Sequence, residues 1–257
     1  MRSRGLKIPG PAVSLIERLI HQDDLNAILR FAFPARGSEF ADKVYEFLDL
    51  SLEVEGLDNL PSGQRFVFAS NHPLGGLDGI GLVKVLGHHY GDANLRVFVN
   101  DLLMNVEPMS DVFLPVNKYG GQQRAAAELI NEAYASDCQI VMFPAGLVSR
   151  LSPAGKVRDL EWQKSFVAKA IAFGRKIVPV RFEGLNRPRF YRTARFRSLL
   201  HIGINIEQLL LPAEVFASRG KHLKVIFGAP EDPIDLRRQG LSLPQIAEHF
   251  RRAVNPE

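Results

Sequence analysis

With 257 residues and no stretch that resembles a linker, the chain is expected to form one large α/β domain preceded by a short helical segment. Its formal net charge of +4 favours an anionic partner, such as a phospholipid headgroup, an acidic carrier protein or nucleic acid. Cys138 is the only cysteine, which excludes an intrachain disulfide and a zinc site built on paired cysteines, and suits a reducing cytoplasm.

Residues 1–50 are predicted to form a helical segment with amphipathic helices over residues 11–21, 23–34 and 40–48, because apolar residues recur there at helical spacing. These helices either cover the sheet or lie on a bilayer as interfacial helices do, and the sequence leaves both roles open. The segment lacks the apolar core of a signal peptide, and no stretch of the chain approaches the length of an apolar transmembrane helix. A soluble or peripheral protein is therefore expected.

Residues 51–257 are predicted to form the main domain, in which strands and helices alternate. Strands are predicted near residues 52–54, 65–70, 95–99, 112–116, 139–143, 176–182, 201–206 and 223–227. Helices are predicted for residues 80–90, 121–135, 160–173 and 243–254, the last one capped by Ser242. This order predicts an α/β fold with a mostly parallel central sheet that helices cover on both faces.

The loop after the strand at residues 65–70 reads Asn71-His72-Pro73-Leu74-Gly75-Gly76-Leu77-Asp78-Gly79. A carboxylate that holds one imidazole nitrogen prepares the other to act as a general base, so His72 and Asp78 are candidate catalytic residues. Six extended residue steps span roughly 20 Å but a hydrogen bond only about 3 Å. The loop must therefore fold back, and Gly75 and Gly76 tolerate such a reversal. The alternative is structural, with Asp78 merely capping the next helix.

Two further loops follow predicted strands. In residues 143–150, Gly146 permits close approach of the backbone and Arg150 suits a phosphate or a carboxylate. The alternative for this loop is an ordinary turn with a solvated arginine. Residues 177–184 read most simply as a buried strand. Functional information comes from the order and spacing of the three loops together.

The three loops resemble those of the glycerolipid acyltransferase superfamily. Its lysophosphatidic acid acyltransferases carry Asn-His-x4-Asp, then a block ending in arginine, then Phe-Pro-Glu-Gly-Thr-Arg and a Val-Pro-Val strand. The chain is more similar to a haemolysin-like bacterial branch, related to enzymes that acylate lyso-ornithine or lyso-glycine lipids. That branch has Asn-His-Pro-x-Gly-Gly-x-Asp-Gly and Phe-Pro-Ala-Gly. The resemblance runs from about residue 52 to residue 228.

The resemblance implies a catalytic pair without a metal, in which His72 is the general base and Asp78 orients it. It also implies substrate-binding roles for Gly146, at the glycine of the acceptor-binding block, and for Lys118, near the arginine of the second block. Asn71, Gly75, Gly76 and Arg150 are further predicted substrate-binding positions in the loops. The chain departs from the family pattern where Ala145 replaces a glutamate and Lys118 stands in for an arginine, and residues 147–150 do not align with Thr-Arg. Because the altered positions are those that grip glycerol phosphate, acyl transfer to an acceptor other than lysophosphatidic acid is implied.

Residues 186–197 form an arginine-rich segment in which five arginines interleave with Phe190, Tyr191 and Phe196. This composition suits a membrane surface or a docking site for an acyl carrier protein. It also suits single-stranded nucleic acid, and a merely solvated loop is a further alternative. Beside the acyltransferase resemblance, a lipid surface is the preferred hypothesis, and no nucleic acid partner is expected.

The leading functional hypothesis is an O-acyltransferase of membrane lipid biosynthesis. It moves a fatty acyl group from an acyl thioester of acyl carrier protein or coenzyme A to the hydroxyl of a lysolipid. Neutral His72 removes the hydroxyl proton, backbone amides stabilise the oxyanion, and no cofactor or metal takes part. We expect the protein to be cytoplasmic and peripheral on the inner face of the cell membrane. The alternative, motivated by the altered acceptor positions, is a non-catalytic peripheral lipid-binding protein that retains the fold.

Overall fold

The computed structural model describes residues 17–61, 63–116, 123–152, 155–200 and 205–255. The strands within these ranges are, in chain order, β1 Ser51–Glu55, β2 Phe66–Ser70, β3 Leu95–Val99, β4 Phe113–Pro115, β5 Gln139–Met142, β6 Arg150–Leu151, β7 Val157–Arg158, β8 Lys176–Glu183 and β9 His222–Phe227. The short strands β6 and β7 form an antiparallel ribbon, and the other strands form one central sheet.

The central sheet has the strand order β1-β9-β8-β2-β5-β3-β4. Neighbouring strands pair in parallel except for β8 and β9, which pair antiparallel. The prediction of a mostly parallel sheet is therefore confirmed, and the two strands at the β1 end run against the others. Because β2, β5 and β8 are parallel neighbours, their carboxyl ends lie at the same edge of the sheet, and the loops that follow them can meet there.

The α-helices within the described ranges are α1 Gln22–Ala32, α2 Gly37–Phe47, α3 Leu77–Tyr90, α4 Gln123–Ala135, α5 Ser165–Ala172, α6 Pro188–Leu199, α7 Leu211–Phe216, α8 Pro233–Arg238 and α9 Leu243–Val254. Ser242 starts α9 as predicted, because its backbone and side chain form a capping box with Gln245. Among these helices, none is long and apolar enough to cross a bilayer.

Strand β2 explains why helices cover both faces of the sheet. All five of its residues are buried, and successive side chains of a strand point to opposite faces. Phe66 and Phe68 pack in one hydrophobic core, which contains buried residues of α1, α2 and α3. Val67 and Ala69 pack in a second core with buried residues of α4, α5 and α9. The predicted covering of both faces is confirmed.

The N-terminal helices belong partly to the first core. α1 contributes Ile28 and Ala32 to this core, and α2 contributes Phe40 and Val44. The covering role therefore holds for α2, which packs along α3. The helix predicted over residues 11–21 lies mostly outside the described residues. A membrane role for residues 1–50 stays a prediction.

The helix predicted over residues 160–173 begins only at Ser165. The preceding residues bond elsewhere: the backbone N–H of Gln163 donates to the carbonyl of Pro144, and the indole of Trp162 donates to Asp159. The predicted strand at residues 201–206 falls largely outside the described residues, and Ile206 begins a 3₁₀ turn that ends at Leu210.

The alternative that the arginine-rich segment is merely a solvated loop is wrong, because the segment contains the helix α6. Pro188 occupies the first turn, where its missing N–H costs no hydrogen bond. Phe190, Tyr191 and Ala194 are buried on one side of the helix. This spacing of one, three and four residues is typical of a helix that packs on one face.

Candidate active site

Three loops that follow β2, β5 and β8 are bonded together at the carboxyl edge of the sheet. The backbone N–H of Ser149, in the loop after β5, donates to the carbonyl of His72 at 2.8 Å. The side-chain amide of Asn186, in the loop after β8, donates to the carbonyl of Pro73 at 3.1 Å. The loop that carries His72 is therefore fixed from both sides by segments distant in sequence.

The loop folds back as its spacing predicts, and His72 Nδ1 lies 3.1 Å from Asp78 Oδ2. Gly75 makes the reversal with a φ of +80°, a region that L residues with side chains rarely adopt. A β-carbon at this position would also lie 2.7 Å from Leu211 and 2.8 Å from Val148. Gly76 precedes α3 with a φ of −149°, so only one of the two glycines supplies the left-handed conformation.

The carboxylate of Asp78 is fully buried, and both of its oxygens form hydrogen bonds. Besides His72, its Oδ2 accepts the backbone N–H groups of Leu74 at 2.9 Å and Gly75 at 3.1 Å, and its Oδ1 accepts that of Gly79 at 2.9 Å. Asp78 therefore holds both the imidazole and the backbone of the loop. The alternative in which Asp78 only caps the next helix is wrong, because the N-cap of α3 is Gly76. The catalytic role of Asp78 stays a prediction.

The electrostatics of the pair favour the charged forms of both residues. Burial on its own would lower the pKa of His72, but the adjacent charge and hydrogen bond of Asp78 outweigh it, so the pKa of His72 is raised above its ordinary value. Burial would raise the pKa of Asp78, yet His72 and the backbone N–H donors hold that pKa below its ordinary value. The imidazolium that forms when His72 accepts a proton is thus stabilised in place.

One face of the His72 imidazole ring packs against an aromatic ring. The ring of Phe143, from the loop after β5, lies against it with 4.1 Å between the ring centroids. Since Nδ1 faces Asp78, Nε2 is the nitrogen left to take a proton from a substrate. The side chain of His72 is 17% exposed while that of Asp78 is closed off. This arrangement suits a base that touches substrate and a partner that does not.

A second buried carboxylate, Asp159, supports the same loop and was not predicted. Its Oδ1 accepts the backbone N–H of His72 at 3.2 Å and the hydroxyl of Ser149 at 2.5 Å, and its Oδ2 accepts the indole N–H of Trp162 at 2.8 Å. Burial raises the pKa of Asp159, against the opposing effect of these donors. No sequence motif singles out this residue, because the loop that it supports, at His72, is remote along the chain.

Asn71, predicted to contact substrate, bonds to the end of β8. Its Oδ1 accepts the backbone N–H of Phe182 at 2.6 Å, and its Nδ2 donates to the carbonyl of Phe182 at 3.0 Å. These bonds join the carboxyl ends of β2 and β8. Contact of Asn71 with a substrate stays a prediction.

Arg150, predicted to hold an anion, has intramolecular partners in the structure. Its guanidinium donates to the carbonyl of Val148 at 2.6 Å and to Glu207 at 2.7 Å, and it lies over the ring of Phe190. Glu207 is fully buried, with Arg197 2.9 Å from its other oxygen. Burial lowers the pKa of Arg150, and the charge of Glu207 opposes this. Arg150 thus ties the loop after β5 to the turn after α6, while its binding of substrate stays a prediction.

Two further predicted positions complete the set. Gly146 lies in the turn after β5 with a φ of +65°, and its N–H donates to the carbonyl of Phe143. It therefore helps to place the ring that packs on His72. Lys118 lies outside the described residues.

A cavity of about 420 Å³ opens beside the loop that carries His72. Asn71 and Pro73 contribute to its wall, and Lys156, Arg158 and Arg181 give it cationic groups. The side chain of His72 does not line it, so the cavity adjoins the His72–Asp78 pair without containing it. Within the described part of the chain, no group of three His, Cys, Asp or Glu side chains is placed to hold a metal ion.

Comparison with known proteins gives three findings. The model of a family described as acyltransferase matches residues 2–254. Two curated proteins named lyso-glycine lipid O-acyltransferase, from Phocaeicola vulgatus and Bacteroides thetaiotaomicron, are each 43% identical to the chain over 223 residues, which is 87% of this chain and 79% and 81% of theirs. The crystal structure of PlsC, the 1-acyl-sn-glycerophosphate acyltransferase of Thermotoga maritima, aligns with a TM-score of 0.49 and 17% identity over 94% of this chain and 95% of that one.

Proposed function

The chain belongs to the acyltransferase family, and from that premise we propose that it transfers a fatty acyl group to the hydroxyl of a lyso-glycine lipid. The two lyso-glycine lipid O-acyltransferases share 43% of residues with it over most of its length. The single observation that supports catalysis most strongly is the buried contact between His72 and Asp78. A protein that only bound lipid would have no need of an oriented, partly exposed imidazole.

The proposed reaction is a direct displacement at a thioester carbonyl. Nε2 of neutral His72 takes the proton of the acceptor hydroxyl while the hydroxyl oxygen forms a bond to the carbonyl carbon of the thioester. The bond from that carbon to sulfur then breaks, and the imidazolium returns its proton to the leaving thiolate. Asp78 stabilises the imidazolium between these steps, and no oxidant, reductant or metal is needed to balance them.

The residues that depart from the glycerol-phosphate enzymes support an acceptor other than lysophosphatidic acid. Ala145 lacks the carboxylate that the glutamate of the family's Phe-Pro-Glu-Gly block provides, and Arg150 is hydrogen-bonded to Glu207. A lyso-aminolipid acceptor is consistent with both features. For the donor we propose an acyl thioester of acyl carrier protein or coenzyme A, with the enzyme peripheral on the inner face of the cell membrane.

The test is acyl transfer by the purified chain, with products identified by mass spectrometry. A lyso-glycine lipid and lysophosphatidic acid are offered in parallel, each with acyl carrier protein and with coenzyme A thioesters. We expect the O-acylated glycine lipid to form at a rate at least about 10-fold above the rate at which phosphatidic acid forms from lysophosphatidic acid. Preference for lysophosphatidic acid would overturn the acceptor assignment. Absence of product with every pair would overturn catalysis and favour a lipid-binding protein.

A further inference from the structure

The arginines of the segment 186–197 divide into two groups. Arg187 donates its backbone N–H to Glu214 at 2.7 Å and its Nε at 3.1 Å, and Arg197 lies 2.9 Å from Glu207. Both glutamates are buried. These two arginines therefore fix α6 to the turn after it and to α7, and they belong to the fold.

The other arginines point away from the fold. Arg189, Arg192 and Arg195 are exposed, and α6 itself contains no acidic residue. Among the described residues, none of these three arginines forms an ion pair with a carboxylate, whereas Arg187 and Arg197 do. Their positive charge is thus available to an external anionic partner.

Large apolar side chains are exposed among these arginines. Phe196 is 61% exposed, Leu199 68% and Leu200 54%, and Leu209 in the following turn is 44% exposed. Residues three, four and seven apart on a helix share one side, so Arg192, Arg195, Phe196 and Leu199 lie together. We call this set, with Arg189 and Leu200, the outer face of α6.

We propose that the outer face of α6 docks on a bilayer that contains anionic lipids. Guanidinium groups beside exposed leucine and phenylalanine match a surface where phosphates lie above acyl chains. Single-stranded nucleic acid fits less well, because Phe190 and Tyr191 are buried and only Phe196 remains for stacking on bases. This inference rests on the proposed function, which supplies the reason why the protein must reach a lipid surface.

Docking on this face would bring the catalytic loop close to the bilayer. Asn186, two residues before α6, bonds to the carbonyl of Pro73, the residue after His72. On the inner side of α6, Phe190 packs under the guanidinium of Arg150 in the loop after β5. α6 is thus attached to two of the three loops of the site, so docking through its outer face would hold these loops near the bilayer.

The test is cosedimentation of the full chain with phosphatidylcholine vesicles, prepared with and without phosphatidylglycerol. We expect binding to the anionic vesicles that weakens with salt. Arg192→Gln with Arg195→Gln should lower the partition coefficient by about 10-fold or more, and Phe196→Ser with Leu199→Ser should lower it similarly. Circular dichroism and thermal unfolding check that each variant is folded.

The matched control is Arg237→Gln with Arg238→Gln. These are also exposed arginines of one helix, α8, although Arg238 pairs with Asp235 at 3.0 Å. They lie beside the start of β8, at the opposite end of that strand from α6. This control should bind as the wild type does.

Three results would overturn the docking proposal. The wild type does not bind vesicles, the control loses as much vesicle binding as the α6 variants, or the wild type binds immobilised acyl carrier protein but not vesicles. Binding is measured without any acyl transfer. A chain that docks through α6 but transfers nothing would refute the proposed function alone.

Discussion

At the scale of single residues, the buried carboxylate of Asp78 contacts both a side chain and the backbone. It holds the imidazole of His72, and it accepts three backbone N–H groups of the loop and of α3. Because those three donors do not depend on the histidine, the loop keeps most of its bonds when the imidazole is removed. The chemistry of the pair can therefore be separated from the stability of the loop by substitution.

We predict that Asp78→Asn moves the pH dependence of acyl transfer. His72 works as a base only when neutral, and its pKa is raised in the wild type. In the wild type, kcat/KM should therefore rise with pH through a pKa above the ordinary value of the imidazole. Removing the charge of Asp78 lowers that pKa, so the rise moves to lower pH. The plateau should fall by about 10-fold or more, because the imidazolium loses its partner.

The measurement is kcat/KM for the lyso-glycine lipid across the pH range, with the urea unfolding midpoint as a check on folding. A rise at the same pH in Asp78→Asn and the wild type would show that His72 is not the titrating base, or that Asp78 does not set its pKa.

The sequence predicted the His72–Asp78 contact but not the residues that support it. The pair lies within one short loop, where glycine positions and residue spacing limit the geometry. Asp159 and Glu207 act through partners that the chain brings together only when the sheet forms. Carboxylates are usually exposed, so nothing in the local sequence indicates that these two are buried.

At the scale of elements, the connection from β2 to α3 depends on a single glycine conformation. Gly75 has positive φ and sits against Leu211 and Val148, whereas an added β-carbon at Gly76 would meet only Val215, at 3.5 Å. The reversal also brings the N–H groups of Leu74 and Gly75 to Asp78. The geometry of the His72–Asp78 contact therefore depends on how this loop packs on α7 and on the loop after β5.

We predict that Gly75→Ala and Gly76→Ala differ strongly. Gly75→Ala forces a methyl group into a strained φ and into two side chains, which should lower the free energy of unfolding by about 2 kcal/mol and kcat by about 10-fold or more. Gly76→Ala should cost less than about 1 kcal/mol. Urea unfolding and single-turnover acyl transfer check both variants. Equal effects of the two would contradict the role assigned to Gly75.

At this scale, the sequence did not predict helix α6. The five arginines of the segment 186–197 left a solvated loop among the alternatives. The helical signal was Pro188 followed by the buried Phe190, Tyr191 and Ala194. This helical signal was weak because apolar residues such as Phe196 also occur on the outer face, so the two sides of the helix differ little in hydrophobicity.

At the scale of the whole molecule, Arg175 joins three elements at the sheet edge opposite to the site. It is 1% exposed, and its guanidinium donates to the carbonyls of Phe66, Ala133, Tyr134, Ser136 and Cys138. Burial, with the nearby charge of Arg65, lowers the pKa of Arg175 to about 10. The residue stays charged near neutral pH and satisfies carbonyls from the end of α4 and the starts of β2 and β5.

We predict that Arg175→Met destabilises the fold without changing the chemistry. The buried carbonyls lose their donor, which should lower the free energy of unfolding by about 3 kcal/mol. Since the site is at the other edge, kcat should stay within about 2-fold of the wild type at a temperature where the variant is folded. Arg65→Met, which removes longer bonds to neighbouring carbonyls, should cost less than about 1 kcal/mol. A stable Arg175→Met variant would contradict this account.

The alternation of strands and helices predicted the fold class and most strand positions, but not the direction of β9. A buried apolar strand has the same pattern whichever way it runs. Its pairing with β8 is antiparallel, and β1 joins it at the edge in the same direction. Direction depends on how the long connection through α6 and α7 packs, which is a property of the assembled molecule.

The most direct test of the account is acyl transfer by His72→Ala. We predict a loss in kcat of at least about 10²-fold, with an unfolding midpoint close to that of the wild type because Asp78 keeps its backbone donors. The matched control is His88→Ala, which removes another His–Asp contact, to Asp42, from the surface, and it should retain full activity. A folded His72→Ala variant that transfers acyl groups at the wild-type rate would contradict the central claim.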